Sequence, residues 1–401
     1  MKAYERFLKY AVIPTMSDEE SSSCPSTKKQ LKLAELLCEE LKELGVSDAR
    51  VDKFGYVYAS LAATKEGEPA IGFIAHMDTS PDASDENIKP KLIKYEGGDI
   101  LLNEEKGIFM KTSDYPYLED YVGHTLITSD GTTLIGADDK AGIAEILTML
   151  EKLIKSDAPH GKICIGFTPD EEIGRGADEF DVQGFGADFA YTVDGGPIGE
   201  LEYENFNAAA AKITVNGVSI HPGAAKDKMK NAARIAMEFN ELLPKDELPE
   251  KTSGYEGFHH LTSMSGEVEL AKLTYIIRDH DMKKFEEKKA EFERCASIIN
   301  ERYGNGTLVL ELSDSYYNMK EKIEPCMYIV ERAETAMKAL GITPVKSPIR
   351  GGTDGARLSF MGLPCPNLST GGENFHSRFE FVSVEAMEKI SDILVEIATA
   401  K

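Results

Sequence analysis

The chain predicts an α/β protein, with a mixed, mostly parallel sheet interrupted by an inserted ferredoxin-like βαββαβ unit. Three observations carry this. Short, continuously apolar runs at 57–62, 70–75, 163–167 and 189–193 read as buried strands alternating with helical stripes. After Phe206 the order changes to β-α-β-β-α-β, a split βαβ unit. From about Cys326 the first pattern resumes. The expected organisation is one discontinuous domain over residues 1–205 and 315–401, with a small domain over 206–314 inserted into it.

The elements follow from local pattern. Tyr4, Phe7, Leu8 and Ala11 have helical spacing. Thr27 and Gln30 read as a capping box, Leu33, Leu37, Leu41 and Leu44 as the stripe behind it, and Gly45 as the stop. A polar excursion follows over residues 81–120, containing one hairpin-like piece. Residues 125–128 and 133–135 are β-rich, and 140–156 should be a helix with Ile143, Ile146, Leu147, Leu150 and Ile154 inward. In the inserted unit, 208–215, 261–268, 271–277 and 308–312 read as strands, and 226–243 and 282–302 as helices. Residues 327–339 and 384–399 close the chain as helices, and 358–367 leads into a loop.

Bulk properties narrow the function. With 401 residues and 42% hydrophobic content, two domains and a sizeable core are affordable. Sixty-nine acidic against 45 basic residues give a net charge of -24, which argues against nucleic acid and anionic membrane surfaces. No basic stretch followed by an apolar one opens the sequence, and no apolar run is long enough for a membrane span. Cys24, Cys38, Cys164, Cys295, Cys326 and Cys365 are scattered without CxxC spacing, so they read as free thiols of a cytoplasmic protein.

His76-Met77-Asp78 directly follows the apolar run 70–75, at the edge of an open α/β sheet where ligands bind. Two residues along an extended chain, Asp78 points to the same side as His76, and a metal-binding imidazole needs its second nitrogen held. Alone the tripeptide equally suits a packed His and a loop-starting Asp. Four further spots resemble it: Asp138 in Gly136-Ala-Asp-Asp-Lys, with Asp139 as a helix N-cap; Glu171 and Glu172 in Pro169-Asp-Glu-Glu-Ile-Gly; Asp194 in Val193-Asp-Gly-Gly; and His376 in Gly371-Gly-Glu-Asn-Phe-His. A solvated acidic turn, an Asp-Gly turn and an unliganded loop His are their bland readings. Together they place two His and three carboxylates, His76, Asp138, Glu172, Asp194 and His376, where strands of one sheet end. That mixed N/O set suits zinc, with manganese or cobalt as alternatives. Five ligands exceed one open site but fit two metals sharing a carboxylate, leaving Glu171 free as a base.

These segments, with Asn216-Gly-Val-Ser-Ile-His221-Pro-Gly, Tyr275-Ile-Ile-Arg278-Asp and Pro348-Ile-Arg350-Gly-Gly-Thr-Asp-Gly-Ala-Arg, closely resemble the dizinc aminopeptidase and carboxypeptidase family that includes aminoacylase and carboxypeptidase G. The resemblance spans essentially the whole chain and is closest to the branch that takes the amino-terminal residue from tripeptides. It implies two Zn2+ per subunit bridged by Asp138, with His76 and Asp194 completing one site and Glu172 and His376 the other. Glu171 would be the general base, Asp78 would orient His76, and a cis peptide would follow Asp138. The inserted unit would be a lid, from which His221 would stabilise the oxyanion. Arg278 and Arg350 would grip the substrate's terminal carboxylate, which their planar forks match. The expected partners are small peptides, and a homodimer is compatible with the family. A related carboxypeptidase or N-acyl amino acid amidohydrolase is the alternative reading. Without the resemblance, His221 reads as a turn residue before Pro222, and Arg278 as a strand-end Arg on a solvated face.

Overall fold

The structure is a computed structural model and describes residues 1–400. It divides into two compact units. One comprises Met1–Tyr203, Glu321–Ser347 and the segment from Thr353 onward; the other comprises Glu204–Lys320 and Pro348–Gly352.

The first unit is built on an eight-stranded sheet in the order Arg50–Val51, Val57–Leu61, Ile163–Thr168, Ile71–His76, Phe189–Gly195, Asn367–Ser369, Glu200–Glu202, Val345–Lys346. The four strands from Ile163–Thr168 to Asn367–Ser369 run parallel. Every residue of Ile71–His76 and of Ile163–Thr168 is buried, as expected of strands covered on both faces. The helix Ala137–Ser156 packs against Ile71–His76 and Phe189–Gly195, and against the helices Ala3–Ala11 and Val384–Thr399. The approach is close at Gly142, where a Cβ would lie 2.0 Å from the Val193 carbonyl oxygen.

The excursion forms a hairpin, Ile100–Asn103 with Ile108–Met110, and a short 3₁₀ helix, Pro116–Tyr121. Its strand Lys91–Lys94 joins Thr125–Thr128, Phe381–Ser383 and Gly372–Glu373 in a second sheet. Tyr95, Ile100, Leu102, Leu118, Tyr121, Leu126 and Phe381 form the core beneath it.

The second unit is a four-stranded antiparallel sheet ordered Phe258–Gly266, Leu270–Asp279, Asn207–Asn216, Leu308–Tyr316. The helices Ala232–Leu242 and Met282–Tyr303 bury Phe239, Phe292 and Ile299 against Ile213, Val215, Leu273 and Tyr275. The expected α/β class with its inserted βαββαβ unit is what the chain adopts.

Three local readings are corrected. The helix expected from 226 starts at Ala232, because the Asn231 side chain accepts from Arg234 N and caps it there. Residues 133–135 form no strand; Leu134 N instead donates to Ser84 O. Thr27 and Gln30 make no capping box: Thr27 Oγ1 donates to Met16 O and Gln30 Nε2 to Asp170 Oδ1.

Candidate metal and catalytic site

The parallel strands deliver their carboxyl ends to one edge, and chemistry gathers there. His76, the last residue of its strand, is buried, with Nε2 2.7 Å from Asp138 Oδ1 and 3.4 Å from Asp194 Oδ1. His376 Nε2 lies 2.8 Å from Glu172 Oε2 and 3.3 Å from Asp138 Oδ2. Asp138 thus offers one oxygen to each imidazole. Potential ligand atoms fall into two groups sharing that residue, His76–Asp138–Asp194 and Asp138–Glu172–His376, each within 4.8 Å.

Backbone geometry sets these positions. Asp138 follows Gly136, whose φ of 72° is left-handed, and the Asp138–Asp139 peptide is cis. The Asp139 side chain accepts from His76 N at 3.1 Å and from Gly142 N at 3.3 Å, the latter a helix cap. Asp78 is fully buried and does two things. Its backbone oxygen is 3.0 Å and its carboxylate 3.4 Å from His76 Nδ1. The same carboxylate accepts from Glu171 N at 3.0 Å and Glu172 N at 3.2 Å, so it braces the acidic turn. His376 and Asn374 both have left-handed φ, 60° and 61°. Asn374 is held by the Tyr117 hydroxyl and donates to Phe379 O, while Tyr121 donates to Glu373.

Burial and the charges within the cluster set the electrostatics of the site. Burial pushes Asp194 and Glu172 each up to about 7, and the like charge of Asp138 adds to it. Burial also raises Glu171 well above the usual carboxylate range; His76 opposes this, and Asp194, Asp354 and Glu172 reinforce it. Bonds to Asp138 and Glu172 push the His376 imidazole up to about 11. Burial disfavours charge on His76, but Asp194, Asp138 and Asp78 outweigh it and raise its pKa. Against burial, bonds to His376 and His76 hold Asp138 below the usual carboxylate range. Two nitrogens and three carboxylates are a donor set divalent cations accept, so the residues fit such a group.

Three further side chains, which no sequence pattern singles out, support these residues. Asp354, quoted in a motif without a role, accepts from Thr168 Oγ1 at 2.7 Å. Arg357 donates to Gly174 O and pairs with Asp178, bracing the same acidic turn. Glu380 caps the loop that carries Asp138. None of the three carries a local pattern that assigns it this part.

His221, Arg278 and Arg350 belong to the second unit. His221 Nδ1 accepts from Gly223 N, which leaves Nε2–H as the donor of the neutral ring. Arg278 Nη1 donates to Ile277 O and Ala209 O, and its guanidinium is 5.3 Å from the Tyr316 ring centroid. Arg350 donates to Gly254 O, Glu256 O and Thr252 Oγ1, and sits over Phe206 and Phe258.

A model of the peptidase dimerisation domain matches residues 203–307. Peptidase T of Alkaliphilus oremlandii is 58% identical over 398 residues, 98% of this chain and 97% of that one. Peptidase T of Geobacillus kaustophilus is 57% identical, over 98% of this chain and 96% of its own. The chain belongs to the peptidase T family. It is therefore an enzyme, a peptidase by family. The fold agrees with an aminopeptidase from Bacillus cereus, at TM-score 0.79 and 24% identity, covering 99% of this chain and 97% of that one. It also agrees with a tripeptidase from Staphylococcus aureus, at 0.80 and 21%, with the same coverage. A dinuclear metal-binding peptidase of the M20 family from Bacillus subtilis superposes at 0.64 and 15% identity, over 99% and 98%.

Proposed function

We propose that this protein is an aminopeptidase that removes the amino-terminal residue from tripeptides and works with two divalent cations. The observation that carries it is Asp138, with one oxygen 2.7 Å from His76 Nε2 and the other 3.3 Å from His376 Nε2. A carboxylate so placed would serve two ions at once. The relatives support the reading: peptidase T by name, a tripeptidase and a dinuclear metal-binding peptidase by structure.

His76, Asp138 and Asp194 would hold one ion, and Asp138, Glu172 and His376 the other. Zinc is the metal this donor set favours, with manganese and cobalt as alternatives. Bound there, the ions supply Lewis acidity toward the scissile carbonyl and make water more acidic. Glu171 takes the proton of the attacking water. As the water oxygen bonds to the carbonyl carbon and the C–N bond breaks, Glu171 returns that proton to the leaving amine. Asp78 keeps Glu171 in place through the turn's N–H groups and steadies His76. The Nε2–H donor of His221 suits an oxyanion partner. Arg278 and Arg350 are assigned the substrate's terminal carboxylate on the family resemblance. Six free cysteines support a reducing compartment, the cytoplasm, and the matched dimerisation domain supports a homodimer. Among the described residues no helix is long and apolar enough to cross a membrane.

The test compares a free tripeptide, its N-acetylated form and a dipeptide. The reading predicts rapid cleavage of the free tripeptide alone. Equal cleavage of the acetylated peptide would instead favour an N-acyl amidohydrolase, and release of the carboxyl-terminal residue a carboxypeptidase.

A further inference from the structure

Glu380 is 1% exposed, and the buried Lys140 is the basic side chain that feels its charge. Its carboxylate is spent on backbone. Oε2 accepts from Ile135 N at 3.0 Å and Gly136 N at 2.7 Å, and Oε1 accepts from Asp138 N at 2.9 Å. These three N–H groups belong to the loop that turns at Gly136 and enters the helix Ala137–Ser156. Ile135 and Gly136 are buried and Asp138 partly so, and buried N–H groups need such a partner.

The position of Glu380 in the chain matters as much. His376 sits on the connection between the paired strands Gly372–Glu373 and Phe381–Ser383, and Glu380 is the residue just before the returning strand. Its own N–H donates to Ser377 O, which closes the turn behind His376. One side chain therefore fastens the loop that presents His376 to the loop that presents Asp138, across 242 residues of sequence. Both loops depend on left-handed backbone, at Gly136 on one side and at Asn374 and His376 on the other. Neither would hold its shape from local propensity.

We propose that Glu380 is a positioning residue for the shared carboxylate: it fixes Asp138 at the spacing from His376 that two cations require, before any cation binds. This rests on the dimetal reading above. Glu380 touches neither substrate nor ion, and it acts through Asp138. A Gln in its place would keep one oxygen but turn an NH2 donor toward a backbone donor, most directly at Asp138 N. An Asp would keep the charge and fall one methylene short.

The experiment uses the full-length protein, stripped of metal and titrated with Zn2+ against a chromophoric chelator. The melting temperature of the metal-free form and tripeptide kinetics are read in parallel. Wild type binding two Zn2+ is the control; if it binds none, the dimetal reading fails rather than this one. Glu380→Gln should remain folded, weaken Zn2+ binding about 10–100-fold at one or both sites, and lower kcat with KM little changed. Glu380→Asp should fall between Gln and wild type. Zn2+ affinity within about threefold of wild type in the folded Gln variant would overturn the proposal, since a purely structural carboxylate lowers melting temperature alone. If neither variant folds, Glu380 is a determinant of the fold and the proposal likewise falls.

Discussion

Asp78→Ala removes a fully buried carboxylate with three neighbours: Glu171 N at 3.0 Å, Glu172 N at 3.2 Å and His76 Nδ1 at 3.4 Å. Each N–H left without a partner costs about 1–3 kcal/mol. Glu171 and Glu172 are only half-buried, and water reaches part of the turn, so the lower end applies to each. The sum is about 2–3 kcal/mol, inside the margin of about 5–15 kcal/mol by which domains are stable. The variant should therefore fold, with a lowered melting temperature. His76 keeps its contact with the Asp78 backbone oxygen at 3.0 Å, so its ring is loosened rather than released. Metal affinity and kcat should each drop about 10–100-fold, the usual cost of losing such a support. Calorimetric melting, chelator competition and steady-state tripeptide hydrolysis give the three readings. Wild-type affinity and wild-type kcat in a folded Asp78→Ala protein would refute the reasoning. So would a loss of stability with no functional change.

Other expectations are simpler to state. Glu171→Ala should keep metal and tripeptide binding and lose most of its rate, about 100-fold or more in kcat; full activity would remove the base assignment. Gly142→Ala pushes a Cβ to 2.0 Å from the Val193 oxygen, next to Asp194, and should cost about 3 kcal/mol along with metal affinity, both checked by melting and Zn2+ titration. Glu145 is fully buried and neither of its oxygens has a hydrogen-bond partner; burial and then Glu388 raise its pKa well above 4.5. A raised acid costs nothing below its unfolded value and progressively more as pH climbs toward its folded value. Glu145→Leu should then stabilise the protein by about 1–3 kcal/mol near neutrality, with a larger melting gain at about pH 8 than at about pH 5.5. A gain that shrinks as pH rises would contradict the assigned sign.

Much of the fold could be read because buried strands and amphipathic helices advertise themselves by period. The helix expected at 384–399 is Val384–Thr399, and the apolar runs before His76 and Thr168 are the strands that deliver them. The edge where ligands gather follows from strand direction, so five scattered residues could be assigned to one place before any coordinate. The missed features carry no period. Asn231 starts a helix later than its spacing suggests by capping it, a competition that spacing does not reveal. Glu380 and Asp354 are buried carboxylates satisfied by backbone or hydroxyl groups distant in sequence. Nothing local distinguishes them from surface acids in a chain carrying 69. The sequence marks Asp78 as an orienting group for His76, and its grip on the Glu171 turn is visible only in three dimensions.

The most direct test of the account is to strip the protein of metal and titrate Zn2+ back while following release of the amino-terminal residue from a free tripeptide. The donor groups around His76 and His376, sharing Asp138, predict no activity without metal and a break at two equivalents per chain. Full activity in the presence of a chelator, or saturation at one equivalent, would contradict it.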